Sequence, residues 1–300
     1  MLVSLLLQKR ATVMIQRTVS RLYTPHNEPG FLGAGHVART VLTGGFAQTD
    51  PFIFLMDDML DKKDNEPAGG PHPHAGFETV SLLIDGEIKE RLESMKKGDF
   101  QIMTAGSGTV HTETIDGPTK GRLFQMWLNL PRKDRWVTPR IQILPAGQVP
   151  VLDKDGVNMR LYSGTLAGIH SPVKNYTPLI AAEFTLKAGV DTSVQFPARF
   201  NAFLYVISGS VQIADTKINH DQVAWLDVFD TEDASNLTMQ AGENDTRFVL
   251  YAAEPTHENI VSYGPFIADT QAEIADLYHQ YRNGTMTHIA AAPEARKLTY

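Results

Sequence analysis

Phe77-Glu-Thr-Val-Ser-Leu-Leu-Ile-Asp-Gly-Glu-Ile88 and Phe200-Asn-Ala-Phe-Leu-Tyr-Val-Ile-Ser-Gly-Ser-Val211 line up without a gap. Each is a run of aliphatic, aromatic and β-branched residues closed by a turn glycine, Gly86 or Gly209. Such runs read as strands bounded by turns. Twelve residues beyond each glycine, Gly98-Asp-Phe-Gln-Ile-Met103 resembles Asp221-Gln-Val-Ala-Trp-Leu226 when one gap is allowed. In a chain of 300 residues this repeat predicts two similar β domains, joined through the Pro/Gly/Asp-rich stretch at 145–156.

Around the first copy, Pro51–Met56, Thr79–Ile84 and Phe124–Leu128 are short strand-like runs. Asp85-Gly86, Lys97-Gly98-Asp99 and Ala105-Gly-Ser-Gly108 punctuate them, which is the spacing of a β-barrel or sandwich. Only the C-terminal stretch reads as helix. Thr270-Gln-Ala-Glu273 is a capping box, Ile274, Leu277, Tyr278 and Tyr281 follow at helical spacing, and Asn283-Gly284 ends it. Asp57-Asp58 reads as a turn in preference to a part of the pocket mouth, Phe124 and Trp127 as barrel core in preference to a substrate platform, and Met103 as core or pocket wall.

Pro71-His72-Pro73-His74 precedes the first repeat copy, and His111-Thr112-Glu113 follows about forty residues later. Residues i and i+2 of a strand share a face, roughly 7 Å apart. If the two strands oppose each other, three imidazoles and one carboxylate converge, a set that suits zinc, copper, iron, nickel or manganese. The repeat register sets His72 against Gln195 and His74 against Pro197, so the second copy keeps the scaffold without the ligands. His26, His36, His170, His220, His257, His279 and His288 have no partner at ligand spacing and read as surface or hydrogen-bonded histidines.

Composition narrows the function classes. There is no Cys, hence no disulfide, thiolate metal site or Cys nucleophile, which fits a cytoplasmic protein. A net charge of -7 speaks against non-specific nucleic-acid binding. No apolar run is long enough to span a bilayer. Near the N-terminus the apolar Val3–Leu7 precedes Lys9-Arg10, the reverse of a signal peptide, so this stretch reads as an extension upstream of a start at Met14.

Pro71–Val80, Met103–Glu113 and Gln125–Pro131 resemble the signature blocks of the pirin family. Tyr263–Thr270, Tyr281–Gly284, Ser171–Val173 and Tyr176–Pro178 fit the same family, so the resemblance runs from about Ile15 to Gly284. It implies an all-β bicupin: two cupin β-barrels face to face with a short C-terminal helix. The expected divisions are an irregular N-terminal extension at 1–14, a metal-binding barrel at 15–145, a linker at 146–158, a ligand-free barrel at 159–290 and a tail at 291–300. The implied cofactor is one divalent metal, iron(II) first and Zn, Mn, Ni, Co or Cu after it. Its ligands map onto His72, His74, His111 and Glu113. The generic cupin pattern would take Glu78 instead, which strand parity puts on the face of His72 and His74. Glu113 is preferred for its rigid i, i+2 pairing with His111, leaving Glu78 to orient a ligand imidazole. Where the family commonly has Arg, this chain has Ala75.

The resemblance implies a quercetinase-type dioxygenase that cleaves a flavonol or related enol-containing substrate with O2, Glu113 serving as ligand and proton acceptor. A different class is also implied: a non-catalytic, redox-sensitive iron protein that regulates partners through its C-terminal barrel. A zinc or manganese isomerase is a third reading. Small aromatic substrate, no membrane contact, no direct nucleic-acid contact and a monomeric state complete the expectations.

Overall fold

The computed structural model describes residues 14–89 and 94–300. The expected extension therefore lies outside the described residues except for Met14. Two β-barrels form the molecule. In the first, one sheet runs in the order Lys297–Thr299, Arg140–Leu144, Phe100–Thr104, Phe77–Lys89, Thr119–Asn129, Phe52–Lys62, His36–Thr40, Asn27–Pro29. A two-stranded ribbon of Ala68–His74 and Thr109–Ile115 closes it. In the second, the large sheet centres on Leu179–Leu186, Thr246–Ala253 and Asn201–Ser208, and Asp191–Pro197 pairs with Ala234–Ala241 opposite.

The sequence repeat extends to backbone detail. Ile84 is skipped in the pairing of Phe77–Lys89 with Thr119–Asn129, and the equivalent Ile207 is skipped in the pairing of Asn201–Ser208 with Thr246–Ala253. Each copy thus carries a β-bulge just before its glycine. Leu83 N–H donates to Asp99 O and Leu83 O accepts from Gly98 N–H, as Val206 N–H and O do with Gln222 O and Asp221 N–H. Gly98 and Asp221 both take left-handed φ, +84° and +63°. The second half of the repeat therefore aligns with no gap, and the one allowed from the sequence is not needed.

Strand exchange moves the domain boundaries. Ile15–Gln16 pairs with Ala234–Ala241 and Val19–Tyr23 with Val223–Leu226, so this segment completes the second barrel instead of opening the first. In return, Lys297–Thr299 pairs in parallel with Arg140–Leu144 of the first barrel. Within the expected linker, Val151–Lys154 forms a hairpin with Val157–Ser163. Such pairings cover sheet edges, and local pattern does not reveal which edge a distant segment will cover.

The barrels stack through one face of each repeat strand, the even-numbered residues in the first copy and the odd-numbered ones in the second. Val80, Leu82, Phe100, Ile102, Phe124 and Met126 from the first pack with Tyr162, Phe203, Tyr205, Trp225 and Tyr251 from the second. Phe124 is core, as expected, but core between barrels. The second barrel's own interior is filled by Met159, Phe184, Val194, Phe196, Leu204, Leu237, Met239, Phe248 and their neighbours. The first barrel's odd face is different: Ser81, Gln101, Met103, Leu123 and Gln125 border open cavities. Asp57 and Asp58 are buried in the strand Phe52–Lys62 rather than in a turn, because each has a cation or His partner at the seam or turn it faces.

Behind the ribbon, helix Gln271–Arg282 starts at the Thr270–Glu273 capping box, as its sequence predicts. It buries Ile274 and Leu277 against Ala75, Phe266 and Ala268. Among the described residues no helix is long and apolar enough to cross a membrane.

Candidate metal centre

The ribbon pairs in the register that the two motifs require. His111 lies directly across from His72, Thr109 from His74, and Glu113 from Gly70. His72, His74 and His111 each bring one ring nitrogen within 4.8 Å of the others, a group that could hold a metal ion. Nε2 of His72 and Nε2 of His111 face each other at 2.7 Å. Two nitrogens bound at about 2.1 Å and at right angles to one ion would stand ~3 Å apart, so the facing pair suits two adjacent ligand positions. Nδ1 of His72 lies 2.9 Å from the Gly70 carbonyl; donating there leaves Nε2 with its lone pair. The ring of His74 meets the Pro265 carbonyl, while its Nδ1 is buried with no hydrogen-bond partner. A buried unpartnered nitrogen on one ring of this three-histidine group is one that a bound cation would satisfy.

Electrostatics keep these donors available. Burial, then the neighbouring imidazoles His111 and His72, hold the His74 ring well below the usual histidine range. Burial pushes His111 down to about 3, with His72 and His288 adding to it. Both rings are neutral at pH 7, and a neutral ring is the ligand form. Glu113 stands at the edge of the group, Oε2 3.7 Å from His72 Nε2 and Oε1 3.8 Å from His111 Nδ1. Gln125 Nε2 donates to Oε1 at 3.0 Å and fixes the carboxylate. Burial raises the Glu113 carboxyl above its ordinary value, against the pull of His72 and Gln125.

Glu78 is elsewhere. It is wholly buried, and its Oε1 accepts from Thr104 Oγ1 at 2.6 Å. Asn175, the Tyr176 backbone and Arg140 also act on it, and no histidine does. It therefore neither joins the imidazoles nor orients one. Parity counted straight through from His74 fails because the strand breaks there. Gly76 turns with φ +86°, and a Cβ on it would sit 1.9 Å from the Ile267 carbonyl oxygen. The chain restarts at Phe77 in another sheet, with Glu78 pointing at the second barrel.

One neighbour departs from its sequence reading, and two histidines read as surface or hydrogen-bonded prove hydrogen-bonded beside the cavities. Trp127 is not core: it stacks on Phe77 at 4.1 Å and meets His74 edge-on at 5.2 Å, walling the site. His36 donates from Nε2 to Asp58 while Nδ1 accepts from Leu32 N–H, an internal clip that borders the cavity beside His72. His288 touches Thr112 Oγ1 at 2.9 Å and lies in the wall of the cavity beside His111. Its signal was absent because 176 residues separate the pair. Met103 is buried and lines that cavity, so the two readings of it agree.

Two stacked cupin barrels, one hollow with converging imidazoles and one filled, define a bicupin with one metal-capable histidine group among the described residues. The Pirin family model matches residues 35–128, and that of the Pirin C-terminal cupin domain residues 181–287. Pirin of Rattus norvegicus is 36% identical over 245 residues, covering 78% of this chain and 81% of that protein. A quercetin 2,3-dioxygenase structure from Acinetobacter baumannii matches with a TM-score of 0.77 at 26% identity, covering 91% of this chain and 99% of that one. GK1651 from Geobacillus kaustophilus gives 0.74 at 29%, covering 82% and 100%. The chain belongs to the pirin family.

Proposed function

We propose that this pirin-family protein binds one divalent metal, iron(II) foremost, through His72, His74, His111 and Glu113. We propose further that it is a quercetinase-type dioxygenase acting on a flavonol or related enol with O2. The observation that carries the reading is the convergence of three imidazoles, one with an unpartnered buried nitrogen, between a cavity lined by His111 and another lined by His72, in a barrel whose twin is filled. The likeness to a quercetin 2,3-dioxygenase supports the substrate class.

When bound, the metal would supply Lewis acidity toward an enolate or phenolate oxygen and, if redox-active, a means of engaging dioxygen. The protein's share is proton handling and positioning. Glu113 accepts the proton of the substrate hydroxyl; its raised carboxyl and its partner Gln125 suit a base that is held in place. Trp127 and Phe77 keep the His74 ring from turning. Met103, Leu123 and Ile141 offer an apolar bed for an aromatic ring.

The test joins metal content and turnover. Elemental analysis should find about one metal per chain in the wild type and none in His74→Ala. The iron-loaded wild type should bleach quercetin under oxygen and the variant should not. Bleaching no faster than the metal-free control would sink the activity, and equal metal in both proteins would sink the site.

A further inference from the structure

The cavity beside His111 and Glu113, about 210 Å³, is finished by a segment that lies beyond both family-model matches. After the helix the chain returns to the ribbon, where His288 bridges Val110 and Val110 N–H donates to Thr287 O. It then adds Lys297–Thr299 to the sheet edge, with Lys297 opposite Ile141. This course sets His288, Ile289, Ala290 and Lys297 into the cavity wall.

Among the described Lys, Arg, Asp and Glu side chains, only Glu113 and Lys297 line this cavity. With Glu113 given to the metal centre proposed above, Lys297 is the formal charge that the described residues leave for a ligand. Its side chain is 29% exposed, and its Nζ lies 3.2 Å from Glu294 Oε1. Glu294 is 88% exposed, so that pair is solvent-screened and easily exchanged for another anion. Beside it stand apolar Ile289, Met103 and Ile141. A cation at the rim of an apolar slot selects a ring that carries a negative group.

We propose that Lys297 is a specificity-determining residue that recognises the anionic group, carboxylate or phenolate, of an aromatic substrate. The proposal rests on the metal-centre reading above, since the ligand ring must lie between Lys297 and the His111–Glu113 edge. It also gives the C-terminal strand a role in recognition besides covering a sheet edge.

The probes are salicylate and salicylamide, which share a ring and differ in charge, titrated calorimetrically into the metal-loaded full chain. Metal content is measured on each sample first. Wild type should prefer salicylate. Lys297→Gln should weaken salicylate roughly tenfold, the scale of one charge-assisted hydrogen bond, and leave salicylamide within about twofold. Lys297→Arg should keep the preference, which a merely structural role in the strand would not predict. A wild type without preference, or a Gln variant that loses neither ligand or both equally, overturns the proposal. A chain that takes up no metal is seen before any titration; it sinks the metal centre and takes this inference with it.

Discussion

Two carboxyls close to one motif, Glu78 wholly buried and Glu113 partly so, have opposite duties, and their partners distinguish them. Glu113 faces imidazoles and an amide donor beside a cavity; Glu78 faces Thr104, Asn175 and Arg140 in the closed seam. Burial pushes the Glu78 carboxyl up to about 7 from an ordinary 4.5. The folded chain therefore holds a proton there between pH 4.5 and 7 that the unfolded chain has lost. Its stabilising contribution is full below 4.5 and falls as pH rises through 7, by up to about 3 kcal/mol. Glu78→Gln should remove that slope: near-equal stability to wild type at pH 4.5, and a variant more stable by as much as this amount at pH 8. Urea denaturation of both proteins across that range checks it, and parallel curves would refute the assignment. His111 acts in the other sense. Its folded value of about 3 lies below the ordinary 6.5, so stability is held above pH 6.5 and lost as pH falls toward 3. Because both proteins share that loss, their difference isolates Glu78.

At the scale of elements, the ribbon and the helix were legible and the turn between ribbon and sheet was not. His72, His74, His111 and Glu113 could be read because a period of two is a property of any strand, and antiparallel pairing did the rest. Helix Gln271–Arg282 could be read because a capping box is local. The misplacement of Glu78 shows the limit: Gly76 interrupts the period, and its reason is the Ile267 carbonyl, nearly two hundred residues away in sequence. That carbonyl belongs to Phe266–Ala268, which the helix presses against Ala75. The helix thus supports the strand that carries His74. Thr270→Ala removes the side chain that accepts from Glu273 N–H and should cost about 1 kcal/mol, ~2 °C in thermal midpoint. Differential scanning of the metal-free protein reads it. An unchanged midpoint would mean that the cap is redundant with the packing of Ile274 and Leu277.

For the whole molecule, the repeat announced two barrels, but the seam that makes them one body was hidden in residues that looked like turns. Asp57 is fully buried there. Arg122 grips it with Nε and Nη2 at 2.8 and 2.7 Å, and Tyr205 of the second barrel donates its hydroxyl at 2.8 Å. Arg39 adds bonds to Tyr205 and Asp221, also across the seam. Nothing in Met56-Asp57-Asp58-Met59 signals this, because every partner comes from another strand. Phe124 packs against both Arg122 and Tyr205, and Tyr205 belongs to the apolar cluster of the seam, so the network sits in an apolar interface and its members depend on one another. Removing Arg122 leaves the buried Asp57 charge with only the Tyr205 hydroxyl and, at 3.8 Å, Arg39, a larger loss than the pair's net worth. Arg122→Met should accordingly cost about 3–5 kcal/mol, whereas Tyr205→Phe, which deletes one of several bonds to Asp57, should cost about 1 kcal/mol. If the seam couples the barrels, wild type and Tyr205→Phe should unfold in urea as one transition, monitored together by tryptophan fluorescence and circular dichroism. Arg122→Met should split it, the filled second barrel outlasting the hollow first. A single transition in Arg122→Met, shifted by no more than in Tyr205→Phe, would show that the apolar stack alone holds the barrels together.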